Sequence, residues 1–319
     1  MSVEQTAPLQ NRDNGIDQPK WAAWRLPVLA LTPMAGAAWW LVGFLPWIAG
    51  GMSRPVGSSY SGQKVVHLAV PLFAESLSLL AIGAVLGGIV AGLLARAARG
   101  RLRVRAAAVT VGVAVAVVLT LIQSRHAIGA GRTDSFAADS RVLDGLCFLV
   151  VVGAASGVAL GLLGNSGTLG LGVAAGAVAG SAPVWLISLF NGAVGADQGL
   201  FRLLTEISQW TGAALLALAL FTIGHRPKSR ALAWPLVVVF VWLVGPTVTA
   251  LTYLGQLLRS GAGLPASLPE HLSATIQVWT EASSPAARPL IPWVTAAIVA
   301  VALSAWKGRK LSTVQKSDE

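Results

Sequence analysis

Charge is what this 319-residue chain has least of: 11% of its residues are Asp, Glu, Lys or Arg, while 55% are hydrophobic. A soluble domain carries about 25% charged residues, so there is too little polar surface here to coat a globule. Mean hydropathy is +0.69, and the few charges gather in short islands between long apolar runs, the pattern of helices standing in hydrocarbon. Cysteine is nearly absent as well. Cys147 is the only one, which excludes an internal disulfide and a cysteine-based zinc site. Flanked by Leu146, Phe148 and Leu149, it reads as a small hydrophobe. The sequence contains no HExxH spacing, phosphate-binding glycine loop or other catalytic signature, so no catalytic residue, metal site or cofactor is assigned.

The net charge of +10 does not point to nucleic acid. The basic residues flank apolar spans instead of forming one face, which is how they set orientation and meet anionic head groups.

The expected architecture is all-α: a polytopic transmembrane bundle of about eight spans with both termini cytoplasmic. Residues 1–25 are polar and read as a disordered cytoplasmic tail. The first apolar run, 26–50, is too long for a signal-peptide core and is expected as an uncleaved span. The others fall near 68–95, 106–122, 142–163, 169–190, 207–224, 231–254 and 290–306, with 307–319 as a cytoplasmic tail. Each approaches the ~20 residues needed to cross ~30 Å, and none shows the alternation of a barrel strand. Of the 23 lysines and arginines, 15 fall in 1–25, 96–105, 225–230 and 307–319, and 8 in the intervening loops, which puts both ends inside. Asp134, Asp139, Asp144, Asp197, Glu206, Glu270 and Glu281 fall on the other side, and eight tryptophans near span ends read as an aromatic belt. Residues 198–210 and 267–282 carry helical apolar spacing and are expected as amphipathic stretches along the outer interface.

Four groups of residues are singled out. Gly83, Gly87, Gly153, Gly157, Gly161, Gly172, Gly176 and Gly180 recur at intervals of four, so each set lines one helix face where a neighbouring backbone can approach. They are expected at the packing centre, with spans four and five as an antiparallel pair. His67, Glu75, Gln123, Arg125, His126 and Asp144 form a candidate polar cluster at the outer rim. Gly245, Pro246 and Thr249 mark a candidate broken helix in the seventh span. Arg96, Arg99, Arg101, Arg103 and Arg105 form a basic loop suited to anionic lipid.

No ionisable residue is expected near the middle of any span, which argues against an ion-coupled carrier. The reading this favours is a non-enzymatic subunit or accessory factor of the cell membrane that binds other membrane proteins. The alternatives are a transporter or flippase-like carrier of an uncharged or lipidic substrate, and an outer-face enzyme using Glu75, Asp144 and His126 on a lipid-linked substrate. The excess of arginine over lysine fits a high-GC bacterial genome.

Overall fold

The computed structural model describes residues 26–56, 64–131, 140–194, 197–224, 230, 232–258 and 268–317. The expected N-terminal tail lies outside them. The order is α1 (Val28–Gly43), α2 (Leu45–Ala49), a hairpin of β1 (Ser53–Val56) and β2 (Lys64–His67), then α3 (Leu77–Leu94), α4 (Leu102–Gly131), α5 (Ser140–Leu163), α6 (Thr168–Val194), α7 (Gln198–Ile223), α8 (Ala233–Leu257), α9 (Leu268–Ser283) and α10 (Ile291–Ser317). In lipid no water can take up a backbone N–H or C=O, so an apolar run must close its own hydrogen bonds as helix. Among the described residues, α3 to α8 give six helices long and apolar enough to cross a membrane, and α1 and the apolar part of α10 are shorter.

Several boundaries differ from expectation, each for a local reason. The third span continues as helix through Gln123 to Gly131, because polar residues end a hydropathy window without ending a helix. Residues 198–210 are not a separate interfacial stretch. They are the first half of α7, which starts at Asp197, whose carboxylate accepts from the Gly199 and Leu200 amides at 2.9 and 3.1 Å. The first span breaks at Phe44, ahead of Pro46. The last helix runs on to Ser317, into the expected tail. Between β1 and β2 the pairing is antiparallel, Ser53 opposite His67, in a stretch expected as loop.

Two four-helix groups build the bundle. One packs α1, α3, α4 and α5 around Leu31, Trp39, Leu80, Val109 and Leu146. The other packs α6, α7, α8 and α10 around Leu216, Leu220, Ile223, Val241 and Ala300. Between them lies a thin seam of Ile89, Ala174 and Ala177, and the Trp185 indole of α6 donates to the Val42 carbonyl of α1 at 3.0 Å. Large apolar side chains face outward, Phe148 at 70% exposure and Leu236 at 72% among them. Large apolar side chains thus cover the outside as well as fill the interior, which is the build of an integral membrane protein.

The glycines stand at helix contacts, and the structure names their partners. Gly83 and Gly87 of α3 meet the α1 backbone at Gly43 and Trp39, whereas Gly88 and Gly92 meet α5 at Ala154, Gly157 and Gly161. The α5 glycines therefore face α3, not α6. Gly172 of α6 faces Ile223 of α7, while Gly176 and Gly180 face Val237 and Val244 of α8. A methyl group at Gly92 would lie 2.8 Å from the Gly161 Cα, and one at Gly157 would press on the Val85 carbonyl. Gly92→Ala and Gly157→Ala should each lower stability by about 1–3 kcal/mol, read as a fall in Tm in detergent. Gly129→Ala, with nothing within 4 Å, should leave Tm unchanged or slightly raised. Equal Tm values for all three would remove close backbone approach as the determinant of packing.

Candidate functional site

The outer polar residues do not assemble into one pocket. Gln123 and Ser124, adjacent on α4, hold the end of the hairpin and the bend that follows it. Gln123 accepts from the Ala69 amide at 2.7 Å and donates to the His67 carbonyl at 3.1 Å, and Ser124 accepts from Val70 at 3.1 Å. Arg125 pairs with Asp144 across α4 and α5 at 2.8 Å, both side chains about half exposed or more. His67 and His126 are exposed, and Glu75 sits half-buried in the short turn Ala74–Ser76 ahead of α3. Among the described residues no three of His, Cys, Asp and Glu come together as a metal site would require. In the basic loop, Arg96, Arg99, Arg101 and Arg103 are exposed. Arg105 is not. Its guanidinium donates to the carbonyls of Ala95 and Ala98 at 2.7 and 3.3 Å, capping the end of α3.

At the candidate break, Gly245 and Pro246, α8 runs unbroken through both, and Thr249 donates back to the Gly245 carbonyl at 3.1 Å. The chain is broken elsewhere. Helix α9, expected along the outer interface, instead runs antiparallel beside α8. Its Trp279 indole donates to Thr247 at 3.2 Å, and the Trp242 indole of α8 donates to the Ser283 carbonyl at 3.1 Å. Helix α9 thus ends level with the interior of α8, and the segment 284–290 turns there through Pro285–Ala287 before α10 begins at Ile291. Pro285, Pro289 and Pro292 supply the stop and the restart, since proline lacks the amide that would continue a helix and suits a helix's first turn.

Arg288 lies in this break, and three features hold it. Pro246 has no N–H, so the Trp242 carbonyl one turn back lacks its helical partner. Arg288 Nη1 donates to that carbonyl at 2.8 Å. Its guanidinium lies 5.1 Å from the centroid of the Trp242 ring, within cation–π range, and Trp293 meets the same ring edge-on at 5.1 Å. Gly245 makes room, since a methyl there would lie 2.6 Å from the Arg288 Cζ. Sequence reasoning placed Arg288 in an outer loop and found no charge at the depth of a span interior. The structure puts this one midway along α8. The three prolines around it, between two apolar helices, were the legible signal.

Arg288 lines a cavity of about 260 Å³. Helix α6 contributes Gly180 and Pro183, α7 Gln209 and Gly212, α8 Val241 and Gly245, and α10 Pro292 and Trp293. Each of α6, α7 and α8 meets it near mid-length. Pro183 also deprives the Ala179 carbonyl of its helical donor, so two prolines open their helices toward one space. On the other side of the α6–α8 contact is an almost wholly apolar crevice of about 460 Å³, reached by Ile82, Leu160, Ser181, Val244, Thr247 and Trp279.

Comparison with known proteins finds no family model, curated protein or solved structure that matches the chain. Its class rests on the fold: a membrane-embedded helical bundle with a broken helix pair beside an internal cavity.

The proline–arginine relation is testable by a double-mutant cycle. Arg288→Gln should destabilise the protein by about 1–3 kcal/mol, the cost of an orphaned buried carbonyl plus a lost charge-assisted bond. In a Pro246→Ala background, where residue 246 can donate to Trp242, the same change should cost clearly less. Additive effects in thermal unfolding would dismiss the link between the two residues.

Proposed function

We propose that this chain is an eight-crossing protein of a bacterial cell membrane, with both termini cytoplasmic, that carries a lipidic molecule in the manner of a transporter or flippase. The eighth crossing on this reading is composite: α9 enters from the outer side and α10 completes the passage inward. The observation that carries the proposal is the break between them, level with the middle of α8 and beside a cavity. Discontinuous helices meeting near the midplane are how carriers build sites, because freed backbone groups and helix ends become available to a substrate there. The distribution of lysine and arginine supports the orientation, and the exposed Arg96, Arg99, Arg101 and Arg103 would face anionic head groups on the inner side.

A further feature fits passage of a polar group. Ser273, Gln277, Thr280 and Glu281 are all exposed on α9, and at helical spacing they form one stripe. Leu272 and Ile276, also exposed, lie to the side of it. Polar and ionisable groups at membrane depth need water or a partner, so the stripe is read as the wall of a wet path from the outer surface toward Arg288. Docking to other membrane proteins gains no such specific support, since exposed apolar residues occur on α1, α4, α5, α8 and α10 alike.

Two measurements test this reading. In a Cys147→Ser background, cysteines at Ser273, Gln277 and Thr280 should react with an impermeant thiol reagent added outside intact cells, and those at Leu272 and Ile276 should not. Uniform protection would eliminate the wet path. The second uses vesicles carrying a fluorescent phospholipid and an impermeant quencher. Vesicles with the purified protein should lose signal from both leaflets. Loss confined to the outer leaflet, as in protein-free vesicles, would dispose of the carrier function.

A further inference from the structure

The site itself indicates what its ligand carries. We infer that the cavity between α6, α7, α8 and α10 binds an amphiphilic anion, a carboxylate or phosphate attached to an apolar chain, with Arg288 as its counter-ion. The inference rests on the lipid-carrier reading and narrows it: the Trp242 carbonyl occupies one donor of this cation, and an uncharged substrate would leave its charge without a counter-ion.

The first argument is electrostatic. A full positive charge at the centre of a bilayer is costly, and such residues pair with an acid or face a water-filled space. Among the described residues Arg288 has no acid partner, and no carboxylate among them lines the cavity. The cation is therefore held, but not neutralised.

The second argument is geometric. Arg288 uses Nη1 on the Trp242 carbonyl and one face on the Trp242 ring. A guanidinium has five N–H donors in a rigid fork that matches carboxylate and phosphate oxygens. Those on Nη2 and Nε make no hydrogen bond among the described residues, and the side chain is held in place rather than free to turn away. Preorganised donors of this kind favour a ligand because little ordering remains to be done on binding.

The third argument concerns the rest of the wall. Pro292 and Trp293 belong to the first turn of α10 and line the cavity. Pro292 has no amide N–H and Val294 donates to the Leu290 carbonyl at 3.0 Å, but the Trp293 amide has no intrahelical acceptor, and the macrodipole there favours negative charge. Gln209 is the other polar side chain present, and its amide has no partner among the described residues. Leu216, Val241 and the prolines make the remainder apolar. One anionic end and one apolar body satisfy both parts of such a wall, whereas a free inorganic anion would satisfy only the first.

The test uses the full chain in detergent micelles and reads ligand-dependent quenching of tryptophan fluorescence, to which Trp242 and Trp293 contribute. Four probes separate the contributions: dodecyl phosphate, dodecanoate, dodecanol and inorganic phosphate. Saturable quenching is expected from the two anionic amphiphiles, with binding roughly tenfold or more weaker for dodecanol and none from inorganic phosphate at the same concentrations. Arg288→Gln should weaken dodecyl phosphate by roughly tenfold or more and leave dodecanol unchanged. Because that variant orphans the Trp242 carbonyl, the same comparison is made between Pro246→Ala and Pro246→Ala/Arg288→Gln, where the helix satisfies it. Gly245→Ala, which keeps the charge but crowds the guanidinium, should weaken the anionic probes as well. Dodecanol binding as tightly as dodecyl phosphate would overturn the anion and leave the lipid-carrier reading standing. Failure of every alkyl probe to bind would overturn both. Inorganic phosphate competing as strongly as the alkyl phosphate would overturn the amphiphile in favour of a simple anion site.

Discussion

Contact between helix backbones at glycine organises everything else in this bundle. Lipid chains are as apolar as leucine, so burying a large side chain between two membrane helices gains little over leaving it in lipid. What remains is dispersion between closely apposed surfaces, and glycine gives the closest approach. Helix α3 presents glycine on two sides, Gly83 and Gly87 toward α1 and Gly88 and Gly92 toward α5. It thereby becomes the buried axis of the first four-helix group. Helix α6 plays the corresponding part in the second, with Gly172 toward α7 and Gly176 and Gly180 toward α8. Large apolar residues fill the space beside these contacts, as Trp39 and Leu80 do, and others such as Phe148 and Leu236 are left facing outward.

Six of the eight expected spans appear as helices long and apolar enough to cross a membrane, and they were legible because length and continuous apolarity are properties of a single segment. The fifth helix shows this well: 142–163 was expected and Ser140–Leu163 is found, its end fixed by the glycine-containing turn that follows. Helix limits in water were harder to see. Gln123 to Gly131 and Gln198 to Ile207 are polar enough to close a hydropathy window, yet α4 and α7 continue through them. The glycine faces were legible as faces, but a face does not name its neighbour, and that α5 turns its glycines to α3 is seen only in the packing. Gly36, Gly43 and Gly112, which stand at equally close contacts, lack a regular spacing and passed unnoticed.

The site was legible only in pieces. Pro246 was seen as the origin of a free carbonyl, and that part holds, but the group that takes it up is 46 residues away. Arg288 could not be placed from its own neighbourhood, because its depth depends on α9 folding back along α8 through the Trp279–Thr247 and Trp242–Ser283 bonds. Neither bond leaves a trace in local periodicity. Hydropathy alone assigned 267–289 to the outside because α9 carries polar residues on one side, and a polar stripe reads the same whether it faces bulk solvent or a wet recess.

The ladder of small residues along α6 has a mechanical corollary. Gly172, Gly176 and Gly180 repeat every fourth position, and bulkier Val173 and Val178 stand between the rungs. Gly172 admits Ile223 of α7, while Gly176 and Gly180 admit Val237 and Val244 of α8, so any slide of α6 displaces both sets of contacts at once. Helices α6, α7 and α8 are thereby keyed to one another, and motion of this group is expected as a rigid body rather than as slippage within it.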